Sequence, residues 1–196
     1  MRVLVFTTVY PSAARPVHGL FVHERIRHLA RHADVRVVAP EPWWPLRRPE
    51  GRAPAVETRE GLEVHHPTFW YVPGFLKALD GLFLFLSALA CVARIRRAGF
   101  DFDVIDAHFG YPDGFAAALL GWWLRRPFSV TLRGTEPLIS RSRLRRALFR
   151  WTLRRAAARI AVAEPLAEQA RALAGVEVVT VANGVDAGRF APAPRA

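Results

Sequence analysis

The stretch 101–137 (DFDVIDAHFGYPDGFAAALLGWWLRRPFSVTLRGTEP) constrains the fold of this chain more than any other part of the sequence. Apolar runs at 102–107 and 128–132 predict two strands, and the run FAAALLGWWLRR between them, stopped by Pro127, predicts a helix. A strand, a helix and a strand so closely spaced predict a βαβ unit, in which the two strands lie parallel and the crossover is right-handed. The chain is therefore expected to contain a parallel sheet flanked by helices.

Polar residues stand at the carboxyl end of both predicted strands. His108 follows the first strand, and Arg133, Gly134, Thr135 and Glu136 follow the second. Ligands of open parallel sheets bind outside the carboxyl ends of the strands. Because neighbouring parallel strands end at the same edge, we expect these residues to share one rim and to form a site there.

The first 40 residues predict a second βαβ unit. Strands are expected at 3–8 (VLVFTT) and 35–39 (VRVVA), with a helix that starts at Leu20 between them. The loop before the helix lacks the G-x-G-x-x-G dinucleotide fingerprint, and Gly19 stands there nearly alone. A glycine at a helix start lets an anion such as phosphate approach the free amides, and it also relieves a tight turn. The local sequence is compatible with both roles.

The remaining segments predict further elements of the same architecture. In chain order they are a proline-rich loop at 41–55, a hairpin at 56–66 that turns at Gly61, a long helix at 75–97, and a strand, a helix and a strand at 159–163, 164–174 and 176–181. His65 and His66 in the hairpin have no neighbours at metal-ligand spacing, so we interpret them as strand-end residues and not as ligands.

The chain is strongly basic. It has 28 basic and 17 acidic residues, a net charge of +11, and Lys77 is its one lysine. A GC-rich genome would produce this arginine excess, and so would selection for phosphates or acidic membrane surfaces. The segment 138–155 concentrates arginines beside a partly apolar face. It fits a solvated surface helix, and equally an amphipathic helix on anionic lipid with Phe149 and Trp151 at the boundary.

Three further observations bear on partners and compartment. No recognised nucleic-acid motif accompanies the basic segment, so no nucleic acid partner is expected. The longest uncharged apolar run, at 81–93, is shorter than the roughly 20 residues of a membrane-spanning helix, and the N-terminus does not have the pattern of a secretory signal. The single cysteine, Cys91, lies in an apolar run and suits a reducing compartment. We therefore predict a cytoplasmic protein that is peripheral at the inner face of the membrane.

The motifs in their order resemble the N-terminal domain of GT-B glycosyltransferases of family 4. They are VLVFTTVYP, HGLFVHERIRHLA, VRVVAP, DVIDAHFGYPDGFAA, VTLRGTEP, RIAVAEPLAEQ and NGVDAGRFAP. The resemblance runs over essentially the whole chain, and NGVD-x-x-x-F-x-P is its most specific member.

This resemblance implies an α/β fold: a single Rossmann-like domain at 1–182, with a central mostly parallel sheet flanked by helices, as one half of a GT-B fold. Residues 183–196 would begin the interdomain linker, with Asn183 and Gly184 as the hinge. The C-terminal donor domain is expected to be absent from this sequence.

The resemblance also implies roles for individual residues. His18-Gly19 stands where many relatives have two glycines that approach the donor diphosphate. His108 matches the histidine at the end of the fourth main strand. Arg133 stands where many relatives have a histidine that contacts the transferred sugar. An arginine cannot act as a general base, but it can hold a phosphate or developing negative charge. We therefore expect His108 and Arg133 to be catalytic.

The other expected substrate-binding residues are Tyr111, Asp113, Gly134, Thr135 and Glu136. Asp113 and Glu136 are the nearest carboxylates on the rim and can hydrogen-bond acceptor hydroxyls. Each also suits a local structural role, Asp113 in a turn or N-cap and Glu136 in the first turn of a helix.

The implied function is the retaining transfer of a sugar from a nucleotide sugar to a glycan or lipid-linked acceptor, without a metal or another cofactor. This chain would bind the acceptor and, alone, would bind the donor nucleotide weakly or not at all. The alternative is a non-catalytic half-enzyme, a binding module that needs a separate donor-domain partner. A nicotinamide-dependent Rossmann enzyme is disfavoured by the missing glycine fingerprint.

Overall fold

The computed structural model describes residues 1–43, 51–70, 77–134 and 142–184, which form an α/β fold. The strands in these ranges are β1 (Arg2–Phe6), β2 (Asp34–Val38), β3 (Glu41–Pro42), β4 (Val56–Arg59), β5 (Leu62–His65), β6 (Thr68–Phe69), β7 (Val104–His108), β8 (Phe128–Leu132), β9 (Ala158–Ala161) and β10 (Val179–Thr180). The helices are α1 (Leu20–Leu29), α2 (Asp80–Arg97), α3 (Asp113–Leu124), α4 (Arg143–Arg155) and α5 (Glu164–Ala174).

One sheet carries most of the strands, in the order β10-β9-β8-β7-β1-β2-β5-β4. Its neighbours are parallel except β4 and β5, which form the antiparallel hairpin predicted at 56–66. From β1 in the centre the chain moves outward to β2 and β5, then returns to β7 and moves outward the other way. The reversal lies between β1 and β7. It is the topological switch point of a doubly wound sheet, where ligands bind.

Helices cover both faces of this sheet. On one face Val22 and Ile26 of α1 pack against strands β1 and β2. On the opposite face, α2, α3, α4 and α5 pack together over the sheet and enclose Ile105 of β7. Since successive side chains of a strand point to opposite faces, Asp106 and His108 of β7 lie on the α1 face. The fold thus directs two polar residues toward α1 near the switch point.

The predicted elements are confirmed, with differences at some ends. Strand β8 and helix α5 coincide with the predicted ranges, whereas α2 begins at Asp80 and the predicted start at Phe75 lies outside the described residues. The last strand is shorter than the predicted 176–181. The reason is that Val178 is buried against the core and its carbonyl accepts a hydrogen bond from Nη2 of Arg171 at 2.6 Å.

The prediction that Phe149 lies at a lipid boundary is wrong. The side chain of Phe149 on α4 is 2% exposed and belongs to the core. Its ring lies against Gly110, so closely that an added Cβ at that glycine would come within 2.0 Å of the ring. Trp151 is half-buried and packs against Phe115 of α3, with ring centroids 5.4 Å apart. The hypothesis that α4 contacts anionic lipid is therefore supported by its arginines and not by its aromatic residues.

Two further features of the chain follow from the packing. Cys91 on α2 is buried, and burial raises the pKa of its thiol to about 11, which makes it an unreactive core residue. Among the helices in the described ranges, none is both long and apolar enough to cross a bilayer.

Candidate functional site

Asp113 joins the two strand ends at the switch point. It begins α3, after β7, and its two carboxylate oxygens accept hydrogen bonds from Thr8, after β1: the backbone N–H at 2.9 Å and the hydroxyl at 3.1 Å. The side chain is 1% exposed. Burial raises the pKa of this carboxyl to about 7, although the hydrogen bonds from Thr8 act in the opposite direction. Both oxygens are therefore engaged inside the fold by a residue far away in the chain. The predicted N-cap role is wrong, since Pro112 is the N-cap of α3 and no side chain caps that position, and Asp113 instead has a long-range structural role.

Gly19 is the N-cap of α1 and has a left-handed backbone, with φ of +76°. An added Cβ would lie 2.6 Å from the carbonyl oxygen of Val9, so the tight turn itself requires glycine. The preceding residue, His18, is half-buried, and its N–H donates to the carbonyl of Arg15. Gly19 has no side chain with which to cap α1, and the positive end of the helix dipole lies there.

Arg133 and His108 are in direct contact at the carboxyl ends of β8 and β7. The Nε–H of Arg133 donates to Nδ1 of His108 at 3.0 Å. On the other side of the imidazole, Nε2 lies 3.5 Å from an oxygen of Asp106, whose second oxygen accepts a 2.7 Å hydrogen bond from the hydroxyl of Ser129. Asp106, His108 and Arg133 thus form a continuous row that runs from the buried sheet to the rim.

The row determines the charge state of each member. Burial lowers the pKa of His108, against the opposing effect of Asp106, so the imidazole is neutral at pH 7. Because Nδ1 accepts from Arg133, the proton of the neutral ring is on Nε2, toward Asp106. Burial opposes ionisation of Asp106, yet the neighbouring His108 and the Ser129 hydroxyl outweigh it and lower the pKa of this carboxyl. His108 is 0% exposed, so it orients Arg133 and offers no free nitrogen as a general base.

Arg133 is held by two more contacts. Its Nη1 donates to the side-chain oxygen of Asn183 at 3.1 Å, and its guanidinium carbon lies 5.3 Å from the ring centroid of Phe21 in the first turn of α1. Burial, and next the charge of Arg25, lower the pKa of Arg133 to about 10, which leaves it cationic at neutral pH. A fixed positive charge at the sheet edge can bind a phosphate or stabilise developing negative charge.

The structure therefore brings together His108, Arg133, Gly134, Asn183 and the start of α1. Gly134 directly follows Arg133 with φ of +107°, and Gly184 is exposed beside Asn183. Thr135 and Glu136 lie outside the described residues.

Tyr111 is not brought to this rim. It is 5% exposed, its hydroxyl donates to the carbonyl of Lys77 at 2.9 Å, and its ring joins the core on the α2 side. Burial raises the pKa of its phenol to about 12.

Two members of the site were not found by sequence reasoning. Asp106 stands two residues before His108, and the period-two alternation of a strand places both side chains on one face. Arg25 stands four residues after Phe21, which places both on one face of α1. The strand and helix periods therefore indicated which side chains share a face. Which other elements these faces meet is seen only in the fold.

Each of the two histidines at 65 and 66 contacts a glutamate side chain. His65 lies 2.7 Å from Glu63, and His66 lies 2.9 Å from Glu57. In the part of the chain that the structure describes, no group of three or more His, Cys, Asp or Glu side chains is arranged to hold a metal ion.

Comparison with known proteins assigns the chain to a family. Residues 19–189 match the family described as Glycosyltransferase Family 4. The chain is similar to the protein named teichuronic acid biosynthesis glycosyltransferase TuaC of Bacillus subtilis, with 29% identity over 203 residues that cover 97% of this chain and 51% of TuaC. It thus spans about half the length of this relative.

Solved structures show the same fold at low sequence identity. The catalytic domain of starch synthase IV from Arabidopsis thaliana, bound to ADP and acarbose, superposes with a TM-score of 0.62 at 14% identity, covering 98% of this chain and 53% of that one. Anabaena Alr3699/HepE in complex with UDP and glucose superposes with a TM-score of 0.57 at 17% identity, covering 95% of this chain and 45% of HepE. UDP-GlcNAc 2-epimerase from Neisseria meningitidis superposes with a TM-score of 0.55 at 15% identity, covering 93% of this chain and 47% of the epimerase. The fold is that of one half of a GT-B protein.

Proposed function

This chain belongs to glycosyltransferase family 4, and we propose that it is the acceptor-binding domain of a retaining enzyme that transfers a sugar from a nucleotide sugar to a glycan or lipid-linked acceptor. The observation that carries the proposal is the position of Arg133. Its guanidinium lies at the carboxyl edge of the sheet, oriented by His108 and next to the start of α1. The retaining outcome is carried over from the family.

The charge of Arg133 suits the leaving group of such a reaction. When the sugar departs from a nucleotide sugar, negative charge develops on the diphosphate, and a preorganised cation stabilises it without reorganisation. His108 orients this cation because its Nδ1 accepts the Nε–H of the arginine. In this proposal Arg133 binds the diphosphate or the oxygens near the anomeric carbon, and His108 is a positioning residue. The mechanism uses no metal and no other cofactor.

Activity is proposed to require a second, donor-binding domain. The chain spans 51% of TuaC and about half of the structures it resembles, and two of those are described as complexes with UDP or ADP. We propose that the second domain is supplied in cis or in trans, with Asn183 and Gly184 at the hinge. The chain alone is expected to bind UDP or GDP weakly or not at all and to be inactive.

A chimera tests this proposal. Residues 1–184 joined to the C-terminal half of TuaC should transfer radiolabelled sugar from one of a panel of nucleotide sugars, whereas residues 1–184 alone should not. Arg133→Ala in the chimera should reduce kcat by roughly 100-fold or more, the range seen when one preorganised donor is removed. Arg31→Ala, at an exposed position just after α1, is the matched control. A folded chimera without transfer, or an Arg133→Ala variant with unchanged kcat, would contradict the proposal.

The half-enzyme alternative has its own outcome in the same assay. If the chain is a binding module for a separate donor-domain protein, transfer should appear on mixing two separately expressed chains, at a rate that rises with the concentration of either. Transfer by the fused chimera alone, with none on mixing, favours the two-domain enzyme.

We also propose that the protein is cytoplasmic and contacts the inner face of the membrane. The outer side of α4 presents a shallow hollow of about 740 Å³ lined mainly by arginines; they are Arg143, Arg146, Arg150, Arg154 and Arg155. Among the described residues no acidic side chain lines this hollow, which favours anionic lipid. Arg146→Glu with Arg150→Glu should abolish cosedimentation with phosphatidylglycerol vesicles, while Arg31→Glu should not. Unchanged binding of the double variant would exclude this surface.

A further inference from the structure

Arg25 lies on the face of α1 that also carries Phe21, the residue that contacts Arg133. Phe21 and Arg25 are four residues apart, so they are neighbours on one side of the helix. The guanidinium of Arg133 lies over the ring of Phe21, 5.3 Å from its centroid. The next side chain along the same face is that of Arg25, which is half-buried.

The charge of Arg25 acts on all three members of the polar row. It contributes to lowering the pKa of Asp106, of His108 and of Arg133. Among the described residues, Arg25 has no ion pair, and the adjacent Glu24 pairs with Arg27 at 2.7 Å. Besides burial, the charge of Arg25 disfavours the cationic form of Arg133 and lowers its pKa, although Asp106 acts in the opposite direction. An anion bound between the two guanidinium groups would offset their repulsion.

The sheet beneath the two arginines also contains a buried polar atom that lacks a partner. Thr131 of β8 is the cross-strand neighbour of His108, and both side chains are 0% exposed. The hydroxyl of Thr131 has no hydrogen-bond partner within the described ranges. Buried polar atoms are ordinarily satisfied, and a ligand or its water shell would satisfy this one. This observation is independent of the charges.

We propose that Arg25 and Arg133 together bind the diphosphate group of a substrate at the start of α1, with Arg25 as a binding residue in addition to those already named. Arg133 is held by its hydrogen bonds to His108 and Asn183, and Arg25 would contribute a second guanidinium from α1. The uncapped first turn of α1 adds backbone N–H groups and the positive end of its dipole. The assignment deepens the proposed function and rests on it for the identity of the substrate.

Titration with inorganic pyrophosphate tests the arginine pair directly. In residues 1–196 at low salt, NMR signals of the Arg133 Nε–H and of the Gly19 and Phe21 amides should shift on addition of pyrophosphate. Arg25→Ala should weaken binding about tenfold or more, Arg25→Lys should weaken it less, because a lysine keeps the charge but loses the planar fork, and Arg31→Ala should not change it. Wild-type affinity in Arg25→Ala, or shifts confined to the arginines of α4, would overturn the proposal.

Two diphosphate sources are distinguished by separate titrations. A nucleoside diphosphate is represented by UDP and a lipid-linked one by geranyl diphosphate. In the chimera, which supplies the donor domain, loss of UDP binding in Arg25→Ala assigns the pair to the donor. In residues 1–196, loss of geranyl diphosphate binding in the same variant assigns it to the acceptor. If Arg25→Ala weakens neither, the proposal is wrong.

The chimera separates this proposal from the proposed function. If the chimera transfers sugar and Arg25→Ala leaves kcat and KM unchanged, the proposal that Arg25 binds the diphosphate is wrong, while the proposed transferase function is supported. If the chimera does not transfer sugar but pyrophosphate binding depends on Arg25, the pair stands and the transferase function fails.

Discussion

The Nε–H of Arg133 donates a hydrogen bond to Nδ1 of His108 over 3.0 Å, with the histidine fully buried behind the arginine. This arrangement reverses the usual expectation for a histidine at the end of a strand in an active site. The imidazole does not face the rim of the sheet, because its Nδ1 accepts from Arg133 and its Nε2 faces Asp106. The cation, and not the histidine, lies at the rim.

Replacing His108 is expected to weaken both the fold and the site. His108→Ala leaves the Nε–H of Arg133 without its acceptor in a buried place, which should cost about 1–3 kcal/mol in the free energy of unfolding. His108→Gln offers an amide oxygen to Arg133 and should recover part of that loss. Urea denaturation measures both variants. Equal stability of wild type and His108→Ala would show that the hydrogen bond does not hold Arg133.

Asp113→Asn should stabilise the protein at alkaline pH. Burial raises the pKa of Asp113 to about 7, so between about pH 4 and 7 the folded state keeps a proton that the unfolded state releases. The stability of the wild type therefore falls as pH rises through this window. The amide of asparagine can accept from the N–H of Thr8 and donate to its hydroxyl without a charge.

Thermal or urea unfolding of both proteins at pH 5 and pH 8 checks this sign. The variant should exceed the wild type by about 1–3 kcal/mol at pH 8, and the difference should shrink toward pH 5. A stability difference between variant and wild type that is constant with pH, or larger at pH 5, would contradict a raised pKa of the buried Asp113 carboxyl.

Gly19→Ala should destabilise the domain by about 2–5 kcal/mol. The left-handed backbone at φ of +76° costs an alanine about 1–2 kcal/mol, and the new Cβ would also meet the carbonyl oxygen of Val9 at 2.6 Å, which overpacks the turn. Gly175→Ala is the matched control, since its φ is +65° and no atom lies within 4 Å of the added Cβ. The control should lose only about 1–2 kcal/mol. Equal losses at the two positions would mean that the turn yields to the clash.

Serine at Trp122 and Trp123 is expected to reduce binding to anionic vesicles about tenfold without loss of stability. The two rings end α3 with 68% and 62% of their surface exposed, and Trp123 lines a hollow together with Arg96 and Arg97 at the end of α2. Large exposed aromatic rings near basic side chains suit a membrane interface. Val179→Ser, at an apolar position of the edge strand that is 62% exposed, is the control. Vesicle binding that does not change would restrict lipid contact to the arginines.

Local sequence accounted for most of the secondary structure. Strand β8 and helix α5 were predicted residue for residue, because an apolar run or a helical period bounded by proline and glycine depends on near neighbours alone. The run DVIDAH also indicates that Asp106 and His108 share one face, because side chains two residues apart in a strand point to the same side. That this face lies toward α1 is known only from the fold. Helix α4 was predicted as a helix, but the burial of Phe149 depends on the close approach to Gly110, far away in the chain.

The sequence by itself predicted an α/β domain with a mostly parallel sheet flanked by helices, the order of its elements and the edge of the sheet where the candidate residues lie, since periodicity and turn chemistry are local properties. Only the tertiary structure decided which side chains meet there. The side chain of Tyr111 lies in the core, Asp113 accepts hydrogen bonds from Thr8, and Arg25 on α1 contributes, after burial, to lowering the pKa of Arg133. These outcomes depend on strand register and helix packing over many residues, and no local pattern in the chain encodes them.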